Sequence, residues 1–111
     1  MTVSVKTLIT AKIVESAQTT QYTATGVTAL IDKFTATNYS ATATTFSVNL
    51  VPFGATAGNA NLLVKNKTLQ AGETYTCPEL TGKSLAPGDF ISTLAGAATS
   101  LNMGANGREI T

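Results

Sequence analysis

Histidine is absent from this sequence, and with it go the commonest general base and the commonest transition-metal ligand. A serine or cysteine nucleophile would have to take a lysine or carboxylate as its base. The single cysteine, Cys77, precludes an intrachain disulfide, so the fold must rest on its apolar core or on partner subunits. Tryptophan is also missing, and three Tyr and four Phe leave a thin stacking surface for sugars. Charge is scarce: 12% of residues are Asp, Glu, Lys or Arg, about half the usual share. A net charge of +1 gives copies little mutual repulsion, which suits a protein that associates. The seven Lys and Arg are scattered, with Lys65 and Lys67 the one close pair, so no nucleic-acid partner is expected. No long hydrophobic run occurs, and Lys6 and Lys12 interrupt the apolar start. Neither signal peptide nor membrane span is predicted, and no membrane partner; retention in the cytosol follows unless a larger assembly carries the protein out.

What is present is a 43% hydrophobic chain diluted by Thr, Ala, Ser and Asn, a composition that argues against disorder. Its 111 residues suit a single domain over 1–111, which should bury roughly two-thirds of its unfolded surface. Val3, Val5, Thr7, Ile9, Ala11 and Ile13 alternate with Lys6 and Lys12, predicting a long half-buried strand over 3–14. Residues 1–16 are thus read as an extended N-terminal strand or arm for subunit contacts. A short strand over 21–25 ends at Gly26. From Val27 to Asn38, Leu30, Phe34 and Ala36 face one way and Ala29, Ile31 and Thr35 the other, with Asp32 out of pattern. The cleanest alternation is Phe46, Val48 and Leu50 against Ser47, Asn49 and Val51, a strand over 45–52. Residues 53–61 have no period and read as a flexible or contacting surface loop. A further strand follows over 61–68.

One phrase then occurs twice: Leu69-Gln-Ala-Gly-Glu-Thr-Tyr and Leu85-Ala-Pro-Gly-Asp-Phe-Ile. Each reads as a type II turn launching a strand. Gly72 and Gly88 supply the positive φ at the third position, and Pro87 presets the second. The launched strands cover 74–77, stopped by Pro78, and 90–95. Near the end, Asn106-Gly107 between two short extended runs predicts a hairpin. About eight or nine short strands result. The expected fold is an all-β, single-domain antiparallel β-sandwich or barrel in the jelly-roll or Ig-like range.

Candidate chemistry is sparse. Cys77 has no electropositive neighbour in sequence to activate it, so packing is its expected role. Glu73 and Asp89 could pair as glycosidase carboxylates or as calcium ligands. The same residues, each following a turn glycine, can simply tie down their own loops, and no second acidic cluster accompanies them. No catalytic residue, metal site or cofactor is assigned. Lys65 and Lys67 are read as guards against edge pairing. Tyr39 and Phe53 fall in loops and, with Gly54, Gly58 and Asn59, form the candidate protein-contact set.

The two Leu-x-x-Gly-acid turns, the run through Cys77-Pro-Glu-Leu, the Thr-rich first half and the ending Gly107-Arg-Glu-Ile-Thr resemble small virion structural proteins of tailed bacteriophages. That resemblance implies a β-rich accessory protein of head or tail, assembled into the virion in the host cytoplasm. It further implies a non-enzymatic capsid decoration or cement protein, a homo-oligomer with a trimer favoured, bound to the major capsid protein or another virion protein. A tail, fibre or receptor-adhesion module is the alternative, and an enzyme using Glu73 and Asp89 a third reading.

Overall fold

The computed structural model describes residues 1–111, and its regular structure is nine strands and a single 3₁₀ turn at Asn59–Asn61. The strands are β1 (Val3–Ile13), β2 (Thr19–Thr23), β3 (Thr28–Asn38), β4 (Thr44–Val51), β5 (Leu62–Leu69), β6 (Thr74–Tyr75), β7 (Ser84–Leu85), β8 (Phe90–Ala95) and β9 (Leu101–Ile110). One sheet runs β1-β9-β3 with β6 and β7 both on the far side of β3; the other runs β2-β8-β4-β5. All pairings are antiparallel.

The pairings nest. β4 meets β5, β3 meets β6 and β7, β2 meets β8, and β1 meets β9. The chain is therefore one long hairpin rolled up, and the added pairs β3 with β9 and β4 with β8 close the roll. Counting β6 and β7 as halves of one interrupted strand, this is the eight-stranded jelly-roll form of the β-sandwich. The expected fold class holds.

Between the sheets lies a core of 20 buried residues. Phe34 of β3 and Phe46 of β4 meet across it, with ring centroids 6.1 Å apart and planes tilted by 39°. Alternation on β4 is as predicted: Phe46 and Val48 enter the core, while Ser47, Asn49 and Val51 face outward beneath loops.

Register shifts re-aim side chains in several strands, and in β3 and β1 they decide which residues enter the core. In β3 an extra residue at Asp32 shifts the register against β9, so Ala29 and Ile31 before it and Phe34 and Ala36 after it all point inward. Leu30 is thereby placed opposite to Phe34, contrary to the sequence pattern, and Asp32 out of pattern marked the bulge itself. In β1 the first extra residue is Leu8, with Leu8 and Ile9 both buried, and a second register shift follows between Ile9 and Lys12. Val3, Val5 and Thr7 face solvent, with Val5 89% exposed.

The predicted hairpin at Asn106-Gly107 does not form. Both residues lie inside β9, the strand flanked on each side by a partner. Asn106 is opposite Thr7 and Lys33, Gly107 opposite Lys6 and Ile31, and both neighbours place an extra residue at this level. A turn there would forfeit two ladders of hydrogen bonds, so tertiary pairing overrides the local signal. Gly107 serves close approach instead: a Cβ on it would lie 1.8 Å from the Leu30 carbonyl oxygen.

Candidate functional site

The turns of the repeated phrase fold as read, although the first launches only the two residues of β6 instead of a strand over 74–77. Glu73 N donates to Gln70 O at 3.0 Å and Asp89 N donates to Ala86 O at 2.9 Å, with Gly72 at φ 78° and Gly88 at φ 92°. Each acid then reaches back over its own turn. Glu73 Oε1 accepts from Gln70 N at 2.7 Å, and Asp89 Oδ2 accepts from Ala86 N at 2.9 Å. The turns sit at opposite ends of the interrupted β6–β7 strand, so the two carboxylates do not form a pair. The remaining acids are similarly engaged. Asp32 holds Arg108 through two hydrogen bonds of 2.8 and 3.1 Å. Glu15 accepts from Lys12 and Gln21, Glu79 from the Tyr75 hydroxyl, and Glu109 from the Tyr22 hydroxyl at 2.5 Å. The carboxylates of Glu15 and Glu79 are held below the usual range, chiefly by the Lys12 and Tyr75 hydrogen bonds respectively. All six acids of the sequence thus have structural partners. No group of three or more His, Cys, Asp or Glu could hold a metal ion.

Cys77 follows β6 with a positive φ of 46° and is fully buried. Burial, and then the negative charge of Glu79, pushes its thiol up to about 12. A thiol reagent near neutral pH is expected to spare the native protein and to label Cys77 once urea unfolds it. The same shift has a signed consequence for stability. The unfolded thiol ionises near its ordinary 9.0 and the folded one near about 12, so between them only the unfolded chain loses its proton. Stability should be full below the lower value and fall as pH rises toward the upper. In Cys77→Ala the decline should be shallower, as read from urea midpoints across that range.

Phe53 is the best-presented aromatic. It follows β4, is 78% exposed, and its backbone N donates to Asp89 Oδ1 at 3.0 Å. Its ring covers Gly88: a Cβ on that glycine would lie 2.6 Å from Phe53 Cδ1, so only glycine fits beneath it. The turn carboxylate of the second repeat therefore fixes both its own loop and the base of the aromatic. Gly54 adds a positive φ of 84° to the following turn, where Ala55 N donates to Pro52 O at 3.0 Å.

The rest of the loop is pinned, not slack. Asn49, nearly fully buried in β4, donates through Nδ2 to Gly58 O at 2.9 Å and to Asn61 Oδ1 at 2.7 Å. Asn61 in turn accepts from Gly58 N at 3.1 Å and donates to Thr56 O at 2.9 Å. Gln18, from the β1–β2 turn, donates to Asn49 Oδ1 at 3.3 Å and Ser92 Oγ at 2.7 Å. Sequence reasoning missed this network; an asparagine amid the strongest strand was its one visible sign. Asn59 lies exposed in the 3₁₀ turn.

Tyr39 is not part of the same surface. It follows β3, and Phe53 follows β4, so a full strand length separates them. Tyr39 is half-exposed, and its N donates to Ser100 O at 3.0 Å. It rims a shallow depression on the outer face of the β1-β9-β3 sheet, whose floor is Thr35, Thr37, Asn102 and Gly104. A second depression continues from it past Asn106 to Lys33. Lys65 and Lys67 are exposed on β5, with Lys67 Nζ 5.2 Å from the centre of the Tyr75 ring. The predicted contact residues thus divide into two surfaces: Phe53, Gly54, Gly58 and Asn59 at one end, Tyr39 at the other.

No protein-family model matches the chain, and no match emerges among curated proteins or solved structures.

Proposed function

We propose that this protein is a non-enzymatic virion component, a capsid decoration or cement protein that stabilises a head shell through protein–protein contacts. The observation that carries the reading is Phe53, an aromatic side chain held out to solvent over Gly88 by the hydrogen bond from its own backbone to Asp89. A rigid, exposed ring loses little conformational freedom on docking and is the kind of side chain that dominates interface energetics. Use of all six carboxylates in turns, ion pairs and tyrosine hydrogen bonds supports a structural role for them. Jelly rolls also host lectins and cupins as well as capsid proteins, so the fold adds only analogy. The partners are the major capsid protein or another virion protein, and further copies of this chain.

The test is location and affinity. Electron microscopy of particles carrying labelled protein should place it at regular positions on the head. Phe53→Ala should weaken binding to assembled shells by about tenfold or more with an unchanged urea midpoint. Density confined to the tail tip would favour the adhesion module instead, and absence from particles would end both virion readings.

A further inference from the structure

Four strand edges close the two sheets, and three are blunted. The β6–β7 edge is broken into two-residue pieces, β2 is five residues long with a register shift between Thr20 and Tyr22, and β5 carries Lys65 and Lys67 around Asn66 at φ 49°. These are the devices by which edges resist pairing. The fourth edge, β1, is neither short nor split over Val3–Thr7, where its register against β9 is unbroken until Leu8 and its one lysine, Lys6, is paired with Glu109 at 3.8 Å.

Which backbone groups are free there follows from the ladder. Thr2 and Thr111 exchange hydrogen bonds of 3.0 and 3.2 Å, so the alternation along an antiparallel pair aims Ser4 and Lys6 at β9 as well. Val3, Val5 and Thr7 therefore point their N–H and C=O groups away from the molecule. Their side chains share the outer face, where Val5 is 89% and Val3 49% exposed.

We propose that this segment pairs with the same segment of a second copy, antiparallel about a two-fold axis through Val5. That register is self-complementary. Val5 faces Val5, Val3 faces Thr7, and each facing pair can exchange two backbone hydrogen bonds. Lys6 faces Ser4 of the second copy, so no like charges are directly opposed, and each Lys6 keeps its own Glu109 at 3.8 Å. A net charge of +1 opposes the approach only weakly. A partner of other sequence would gain the hydrogen bonds but not this matched set of valines and neutralised lysines. Five paired residues bury less than a stable dimer interface requires, roughly 1,200 Å². The pair is therefore weak and concentration-dependent in solution, and is reinforced where a shell holds copies side by side. An isologous contact closes at two copies, so the threefold association implied by the resemblance requires a different surface.

Sedimentation velocity over a wide concentration range should show reversible monomer and dimer. Val5→Pro removes only the outward N–H, which β9 does not use, and edge strands tolerate proline. It should raise the dimer dissociation constant by about tenfold or more. Val5→Cys should oxidise to a covalent dimer, because facing hydrogen-bonded residues in this geometry have Cα atoms about 5.5 Å apart. Ser84→Cys, an exposed control on β7, should not. A wild-type protein monomeric at every concentration, or Val5→Cys no more prone to cross-link than Ser84→Cys, would sink the pairing. The pairing rests on the adhesive reading for its purpose, but the two fail separately. Monomers that still bind shells end the pairing alone; dimers absent from particles end the virion reading alone.

Discussion

Gly107→Ala should cost at least about 3 kcal/mol of stability, the top of the usual range for overpacking, and in a marginal background leave no folded protein. The reason is backbone against backbone. A methyl group at position 107 would lie 1.8 Å from the Leu30 carbonyl oxygen and 2.9 Å from Leu8 Cδ1. Leu8 can turn aside; the Leu30 carbonyl belongs to β3 and cannot move without opening the β3–β9 ladder. Since total stabilities run about 5–15 kcal/mol, the loss is a large fraction of the whole. Asn106→Ala is the matching control. Asn106 is exposed and extended within β9, so its replacement should stay within about 0.5 kcal/mol. A urea midpoint that falls as far for Asn106→Ala as for Gly107→Ala would mean that the pair forms a turn after all.

Asn38→Ala should be comparably damaging, costing about 3 kcal/mol through the carbonyls it abandons. The Asn38 side chain is fully buried at the end of β3, and each of its atoms is committed. Nδ2 donates to Thr42 O at 2.8 Å and to Leu69 O at 3.0 Å, while Oδ1 accepts from Ser40 N at 2.9 Å and Ser40 Oγ at 2.7 Å. One amide thereby ties the β3–β4 loop to the end of β5. Alanine leaves the buried Leu69 carbonyl without the Asn38 donor. Asn38→Asp is the sharper variant, since an ionised carboxylate keeps the shape but turns acceptors toward two carbonyls. It should be at least as destabilised near neutral pH and partly recover on acidification, when a protonated carboxyl can donate again. Equal midpoints for wild type and Asn38→Ala would remove the hub from this account.

The same contrasts show what a reader of the sequence could see. The Leu-x-x-Gly-acid turns were legible, down to acids that secure their own loops, because every group involved lies within four residues. The β4 faces were legible because no bulge interrupts Phe46, Val48 and Leu50 in their alternation. Bulges defeated the reading elsewhere: β3 gains a residue at Asp32 and β1 gains one at Leu8 and another between Ile9 and Lys12, and each added residue flips the side chains that follow it. Asn106-Gly107 misled for a related reason, since a dipeptide carries no record of strands on both sides of it. Ser84–Leu85 is too short to show any period. Of the contact set, Phe53 could be chosen as a loop aromatic, but its seat on Gly88 and its distance from Tyr39 depend on topology. Val5 was visible only as one member of an apolar alternation, because exposure on an edge is decided by which strand lies last.

The three blunted edges of the sheets bear on how far so uncharged a molecule can stack. Indefinite stacking into fibrils needs two receptive flanks on every subunit, one to accept and one to offer. Short, split or lysine-bearing flanks at β2, β6–β7 and β5 leave a single receptive flank at most. If β1 pairs as proposed, growth by sheet addition terminates at the first encounter, capped by shape rather than by electrostatic repulsion.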